Sequence, residues 1–235
     1  MALYLRDVYK SYSLKGKRRG ENGKFGLKGI DFELREGIVT QITGDSGSGK
    51  STMLNILCGL LKPTSGEVLC GSEAVYDLNE RDLALLRNRR FGIIPQKSLA
   101  IASLTVAENV KLPSLYLASD DVSLSDKCDE LLEALNLQAV RDSYPGELSG
   151  GEMRRMCIAR SLINDPEYVF ADEPTNDLDE KNRRLVLSLL RKTARRGAGV
   201  LIVSHDPTVT EYADITFGMA EGILEKKGDP SPDRE

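Results

Sequence analysis

The chain has 235 residues, 40% of them hydrophobic, and a net charge of −4 at pH 7. That length buries a sizeable core and fits one domain, or one domain with a lobe. The acidic balance offers no global basic field to nucleic acid, no run of about 18 apolar residues offers a membrane span, and the N-terminus lacks the basic and apolar regions of a signal peptide.

In chain order, residues 3–8 alternate and read as a strand. Residues 15–26 are polar, Gly-rich and basic, and read as a solvated hairpin tip. Residues 30–34 and 38–43 read as strands, the second buried, and Met53, Leu54, Ile56, Leu57 and Leu60 have helical spacing. A turn over 63–66 precedes a strand at 67–70, then a helix at 79–87 and a strand at 90–94. Residues 103–148 are mostly helical by pattern, with breaks at Pro113 and Pro145 and no obvious core strand. A helix at 151–163, a strand at 168–171, a helix at 180–195 and a strand at 200–203 follow. This alternation predicts an α/β fold with a mostly parallel sheet covered by helices. Cys58, Cys70, Cys128 and Cys157 are widely spaced without C-x-x-C, and read as buried free thiols of a reducing cytosol. The tail from about 228 to 235 is expected to be disordered.

Between the strand at 38–43 and the helix after it lies Gly44-Asp45-Ser46-Gly47-Ser48-Gly49-Lys50-Ser51, which fits the phosphate-binding loop G-x-x-x-x-G-K-[ST]. Glycines let successive N–H groups turn inward around an anion. The Lys50 amine reaches β- and γ-phosphates and the Ser51 hydroxyl suits Mg²⁺, with Thr52 next in the helix. Asp45 is expected to face outward. Asp172 and Glu173 end an apolar strand, at the edge where ligands sit in open α/β sheets. Asp172 is assigned to the metal and Glu173 to the attacking water. Leu148-Ser149-Gly150-Gly151-Glu152 forms a second anion site: free N–H groups, a hydroxyl and a helix N-terminus. One ATP does not need two such loops from one chain.

With that motif the chain resembles the nucleotide-binding subunit of ATP-binding cassette (ABC) transporters, whose signature is LSGGQ or LSGGE. The resemblance covers nearly the whole chain. It implies a P-loop NTPase core with a mostly parallel sheet, an N-terminal antiparallel β subdomain and an inserted α-helical subdomain. It also implies a single domain over 1–235, with the helical subdomain at about 97–150. Tyr12 is similar to the aromatic that stacks on adenine, and Gln96 to the glutamine that touches Mg²⁺ and the attacking water. Asn176-Asp177-Leu178-Asp179 is similar to the loop linking two sites across a dimer, and His205 to the γ-phosphate sensor. Tyr12 also fits a half-buried strand aromatic, and Asp179 a helix cap. Pro95, the Asn176-Asp177 pair and the inserted 15–26 stretch depart from the common family pattern.

The resemblance implies an ATPase using ATP and Mg²⁺, with Ser149, Gly150, Gly151 and Glu152 acting on a partner's nucleotide. The implied partners are a second copy, head to tail, or a paralogue, and a separate transmembrane permease, but no nucleic acid. Residues 105–113 and 144–145 look like the branch serving lipoprotein release, macrolide efflux and antimicrobial-peptide resistance. The implied location is the cytoplasmic face of the cell membrane. A soluble ABC ATPase with a cytosolic task such as cluster assembly shares every catalytic motif. A chromosome-maintenance ATPase is disfavoured, because only about 50 residues separate Gln96 from Leu148, with no sustained heptads.

Overall fold

A computed structural model describes residues 2–12, 24–117 and 121–228. The reading of 15–26 as a hairpin tip falls mainly on 13–23, outside the described residues, as does the tail beyond Gly228. Two sheets organise the molecule. The first is antiparallel: β1 (Ala2–Tyr12) pairs with β2 (Lys24–Arg35) and β4 (Ser65–Cys70), and the two-residue β5 (Glu73–Ala74) completes it. The second has six strands in the order β10-β9-β3-β8-β7-β6. Its members are β3 (Val39–Thr43), β6 (Phe91–Ile94), β7 (Tyr168–Asp172), β8 (Gly199–Val203), β9 (Ile215–Ala220) and β10 (Ile223–Gly228). All its pairings are parallel except β9–β10. The α/β class and both sheet types match the sequence expectation.

Strands of a parallel sheet are covered on both faces and therefore lose the polar half of the alternation. Every residue of β7 and of β8 is buried. Alternation survives as a division between two cores. Val169, Val200 and Ile202 face a cluster with Val106, Val110, Leu132, Ile158, Val186 and Leu190. Phe170, Leu201 and Val203 face the opposite cluster, with Leu3, Leu5, Leu34, Met53, Ile56 and Leu57. The first cluster joins the sheet to α3 (Val106–Lys111), α4 (Asp121–Ala134), α5 (Gly150–Leu162) and α6 (Glu180–Arg195). The second joins it to the antiparallel sheet, to α1 (Lys50–Leu57) and to α2 (Glu80–Arg90).

Local signals set the boundaries. Asn79 caps α2, Thr105 and Glu108 form a capping box on α3, and Ser149 and Glu152 form one on α5. Pro113 follows α3 and opens a 3₁₀ turn over Leu112–Tyr116, where its missing N–H costs nothing. The four cysteines are buried and free, as expected. One expectation needs correction: α1 stops at Leu57, and Leu60 lies beyond it with 55% of its surface exposed. Gly59, at φ 72°, turns the chain out of the helix. The β9–β10 hairpin and the short helix α7 (Pro207–Thr210) have no counterpart in the sequence reading. Its signal was present: Ile215, Phe217 and Met219 alternate ahead of the turn Glu221-Gly222.

Candidate functional site

Because β3, β6, β7 and β8 run parallel, their C-terminal ends share one edge of the sheet. The phosphate loop leaves β3, Gln96 follows β6, Glu173 follows β7 and His205 follows β8. A cavity of about 660 Å³ opens there, where ligands bind in open α/β sheets. Tyr12, Gly44, Ser46, Gly47, Gly49, Lys50, Ser51, Thr52, Gln96, Asp172, Glu173 and His205 all line it. Ser48 is buried beneath the loop; Asp45 is exposed but also lines the cavity, where it was expected to face outward.

The loop requires its glycines. Gly44, Gly47 and Gly49 have φ of 150°, 78° and 116°. A Cβ on Gly44 would lie 2.2 Å from the Met219 carbonyl oxygen, and one on Gly49 2.4 Å from that of Gly26. The Lys50 ammonium donates to the carbonyls of Gly44 (2.7 Å) and Asp45 (2.8 Å), which holds it over the loop. Tyr12 reaches the same helix start, its hydroxyl 3.1 Å from Thr52 Oγ1.

The two carboxylates face the cavity by different means. Asp172 ends β7, hydrogen-bonded by Ser51, and burial pushes its pKa above the usual aspartate range despite that bond. Strict alternation would send Glu173 to the other face of the sheet. Instead Glu173 adopts φ 47°, leaves the strand and turns toward the same cavity. Such a conformation costs of order 1–3 kcal/mol in a residue with a side chain. Three bonds hold its N–H and carboxylate: Glu173 N–H to the Val203 carbonyl (2.8 Å), Ser204 Oγ to Glu173 Oε2 (2.8 Å), and Oε1 to His205 Nδ1 (2.8 Å). An ionised carboxylate only accepts, so against one Nδ1 carries the proton. Nε2 then remains on an imidazole that is 73% exposed.

Sequence reasoning missed two members of this arrangement. Ser204 is fully buried, and a serine beside His205 carries no sequence signal of its own. Arg154 of α5 is 3% exposed, and its guanidinium donates to backbone carbonyls at the ends of β6 and β7. The available signal was a charge at helical spacing from Cys157 and Ile158, on the apolar side of α5.

The signature residues lie elsewhere. Ser149, Gly150, Gly151 and Glu152 do not line the cavity. Ser149 is exposed at the start of α5, where its Oγ accepts from the Glu152 N–H (3.3 Å) and donates to the Glu152 carboxylate (2.6 Å). The hydroxyl and the backbone N–H of Ser149 (2.9 Å), both donating to the Glu152 carboxylate, hold its pKa below the usual glutamate range. Asp179 also lies outside the cavity and caps α6, accepting from Asn182 N–H at 2.8 Å.

This fold and edge define a P-loop nucleotide-binding protein. The family profile described as ABC transporter matches residues 27–176. An uncharacterised ABC transporter ATP-binding protein of Thermotoga maritima is 38% identical over 219 residues, 93% of this chain and 92% of that protein. The lipoprotein-releasing system ATP-binding protein LolD of Treponema denticola is 39% identical over 84% of this chain and 88% of its own length. The macrolide export ATP-binding/permease protein MacB of Wolinella succinogenes is 38% identical over 87% of this chain, which spans only 32% of that protein. The dimeric cassette MJ0796, solved in a post-hydrolysis state bound to ADP and Pi, matches with a TM-score of 0.87 at 33% identity. The match covers 97% of this chain and 100% of that one. The chain belongs to the ABC transporter family, as one of its ATP-binding and ATP-hydrolysing cassettes.

Proposed function

We propose that two copies of this chain, or one copy and a paralogue, close head to tail around two ATPs and drive a separate transmembrane permease. The observation that carries this reading is the separation of the two anion-binding loops. The phosphate loop lines the cavity, whereas Ser149–Glu152 opens outward from it. A signature that does not reach its own chain's cavity suits the other chain's nucleotide, and a two-fold arrangement completes both sites at once. The dimeric form of MJ0796 supports this.

In each site Tyr12 stacks on adenine. The backbone amides of residues 46–51, with the Lys50 amine, hold the phosphates. Glu173 takes a proton from the attacking water, while Ser204 and His205 fix its two oxygens. His205 also steadies the γ-phosphate: with Nδ1 donating to Glu173, Nε2 donates to that phosphate when the ring carries both protons. Ser149, Gly150 and Gly151 close over that phosphate from the partner, Glu152 fixes the Ser149 side chain, and Asp179 belongs to the loop that joins the two sites. The Ser51 hydroxyl, the Asp172 carboxylate and the Gln96 amide are hard oxygen donors on one cavity, fitting Mg²⁺, which favours few protein ligands beside phosphates. When bound, Mg²⁺ would neutralise phosphate charge.

No helix among the described residues is long and apolar enough to cross a membrane. The whole chain works as one cassette on the cytoplasmic face, with residues 97–150 as the part that meets the permease. Leu99, Ile101, Leu115 and Tyr116 there expose large apolar side chains, which supports such a contact. The LolD and MacB relatives support lipoprotein release or macrolide efflux as the class of work. The test is Glu173→Gln. Turnover falls about 10²- to 10⁴-fold, ATP still binds, and a dimer accumulates with MgATP on size exclusion. A variant that stays monomeric at saturating MgATP would sink the shared-site reading.

A further inference from the structure

Arg154 sits on the first turns of α5, the helix whose N-terminus carries Ser149. Nε donates to the Pro174 carbonyl (3.3 Å), and Nη2 to those of Asp172 (2.9 Å) and Glu173 (2.7 Å). Nη1 donates to Pro95 and to Gln96 (3.2 Å). One buried guanidinium thus bonds five carbonyls in two segments that carry Gln96, Asp172 and Glu173. Among the described residues no carboxylate oxygen shares its hydrogen bonds; carbonyl dipoles, with the charges of nearby Asp172, Asp177 and Glu173, compensate the buried charge. Burial accordingly pulls its pKa below the usual arginine value. A residue needed only to fill space here would be apolar. Five donors in a planar fork suit the task of holding two chain segments at one spacing.

We propose that Arg154 is a positioning residue for hydrolysis: it fixes the Gln96 and Asp172–Glu173 segments relative to each other from the helix that bears the signature. Through it, the helix start serving the partner's nucleotide and the carboxylates serving the chain's own nucleotide belong to one rigid unit. That last clause rests on the shared-site reading above. The positioning itself does not.

The test is steady-state ATPase of the full chain carrying Arg154→Met, with Arg154→Lys beside it and thermal melts of both. Methionine keeps much of the length and removes every donor. Lysine keeps the charge but gathers its donors on one nitrogen, which cannot span both segments. The expected result for a folded variant is a fall in kcat of about tenfold or more, with KM for ATP changed less than about threefold, because the hydrogen bonds of Arg154 go to the Gln96 and Asp172–Glu173 segments and not to the phosphate loop. A folded variant with kcat within about twofold of the parent, or with kcat and KM impaired together, overturns the proposal. So does failure of both variants to fold, since Arg154 then serves only the fold. Glu173→Gln with and without Arg154→Met, assayed for MgATP-dependent dimers, separates the two readings. If Glu173→Gln alone stays monomeric, the shared site falls, while the kcat and KM split still decides the role of Arg154.

Discussion

Two Gly-rich loops open helices in this chain, and their glycines answer to different constraints. At the start of α1, Gly44 and Gly49 are demanded from within: each has positive φ, and each would drive a Cβ to 2.2 or 2.4 Å from a backbone oxygen. At the start of α5, a Cβ on Gly150 would meet nothing within 4 Å, and one on Gly151 would meet the Leu178 side chain at 3.5 Å and the Asp177 carbonyl oxygen at 4.0 Å, both ordinary contacts. Neither has positive φ. The chain's own fold therefore explains the first pair of glycines and leaves the second unexplained. Under the proposed shared site, close approach of a partner's phosphate would supply a constraint on Gly150 and Gly151 from outside the chain.

The largest effect should follow from breaking the inward side of this contrast. Gly49→Ala forces the loop away from Gly26 and should destabilise the chain by about 2 kcal/mol or more. Nucleotide binding should be lost with it; chemical denaturation and fluorescent-ATP titration read the two together. Gly151→Ala should behave in the opposite way. Its melting temperature should hold or rise slightly, since alanine favours helix over glycine by up to about 1 kcal/mol. ATP affinity of the dilute monomer should be unchanged, while turnover falls about tenfold or more. A Gly151→Ala chain with full turnover would remove the asymmetry between the two loops.

The parts of the site legible in the sequence are those whose chemistry is local. Gly44 to Ser51 is contiguous, and its spacing alone implies the cradle. Asp172, Glu173 and His205 follow short apolar runs that register as buried strands. The turn of Glu173 was hidden, because φ 47° there depends on bonds from Val203, Ser204 and His205, about 30 residues away in sequence. Arg154 was hidden for a similar reason. Its partners are main-chain oxygens of two distant segments, and carbonyls leave no residue-type signature. The β9–β10 hairpin escaped notice although its alternation was readable, and it matters: Met219 supplies the wall that keeps Gly44 a glycine.

A smaller effect should sharpen the adenine side of the inward loop. Tyr12 is 42% exposed, lies on the cavity wall and has the Lys10 ammonium 5.7 Å from its ring centroid. Stacking of two aromatic systems is worth about 0.5–1.5 kcal/mol. Tyr12→Leu should therefore raise KM for ATP roughly two- to tenfold with kcat unchanged. Tyr12→Phe should recover most of the loss, because the ring is retained and only the hydroxyl contact to Thr52 disappears. Equal losses in the two variants would assign the effect to the hydroxyl instead of the stack.

The smallest effect concerns protons, and it too divides the two loops. Burial raises the Asp172 pKa beside the phosphate loop, whereas hydrogen bonds from Ser149 lower that of Glu152 at the signature. The signs follow from linkage. Asp172 burdens the fold above its raised pKa and is relieved as pH falls through it. Glu152 contributes stability above the ordinary glutamate range, and that contribution is lost as pH falls through its lowered pKa. Melting temperatures of the parent, Asp172→Asn and Glu152→Gln across mildly acidic pH test both. Asp172→Asn should be the more stable chain near neutrality, with its advantage shrinking as the pH approaches the ordinary aspartate range from above. The difference between parent and Glu152→Gln should stay level until pH drops below the ordinary glutamate range, and only then move against the parent. A glutamine keeps the capping geometry without a titrating proton, so that late divergence isolates the charge. If the Glu152 difference moved first, or if both moved in one direction, the two loop environments would not be the opposites that their hydrogen bonds and burial make them.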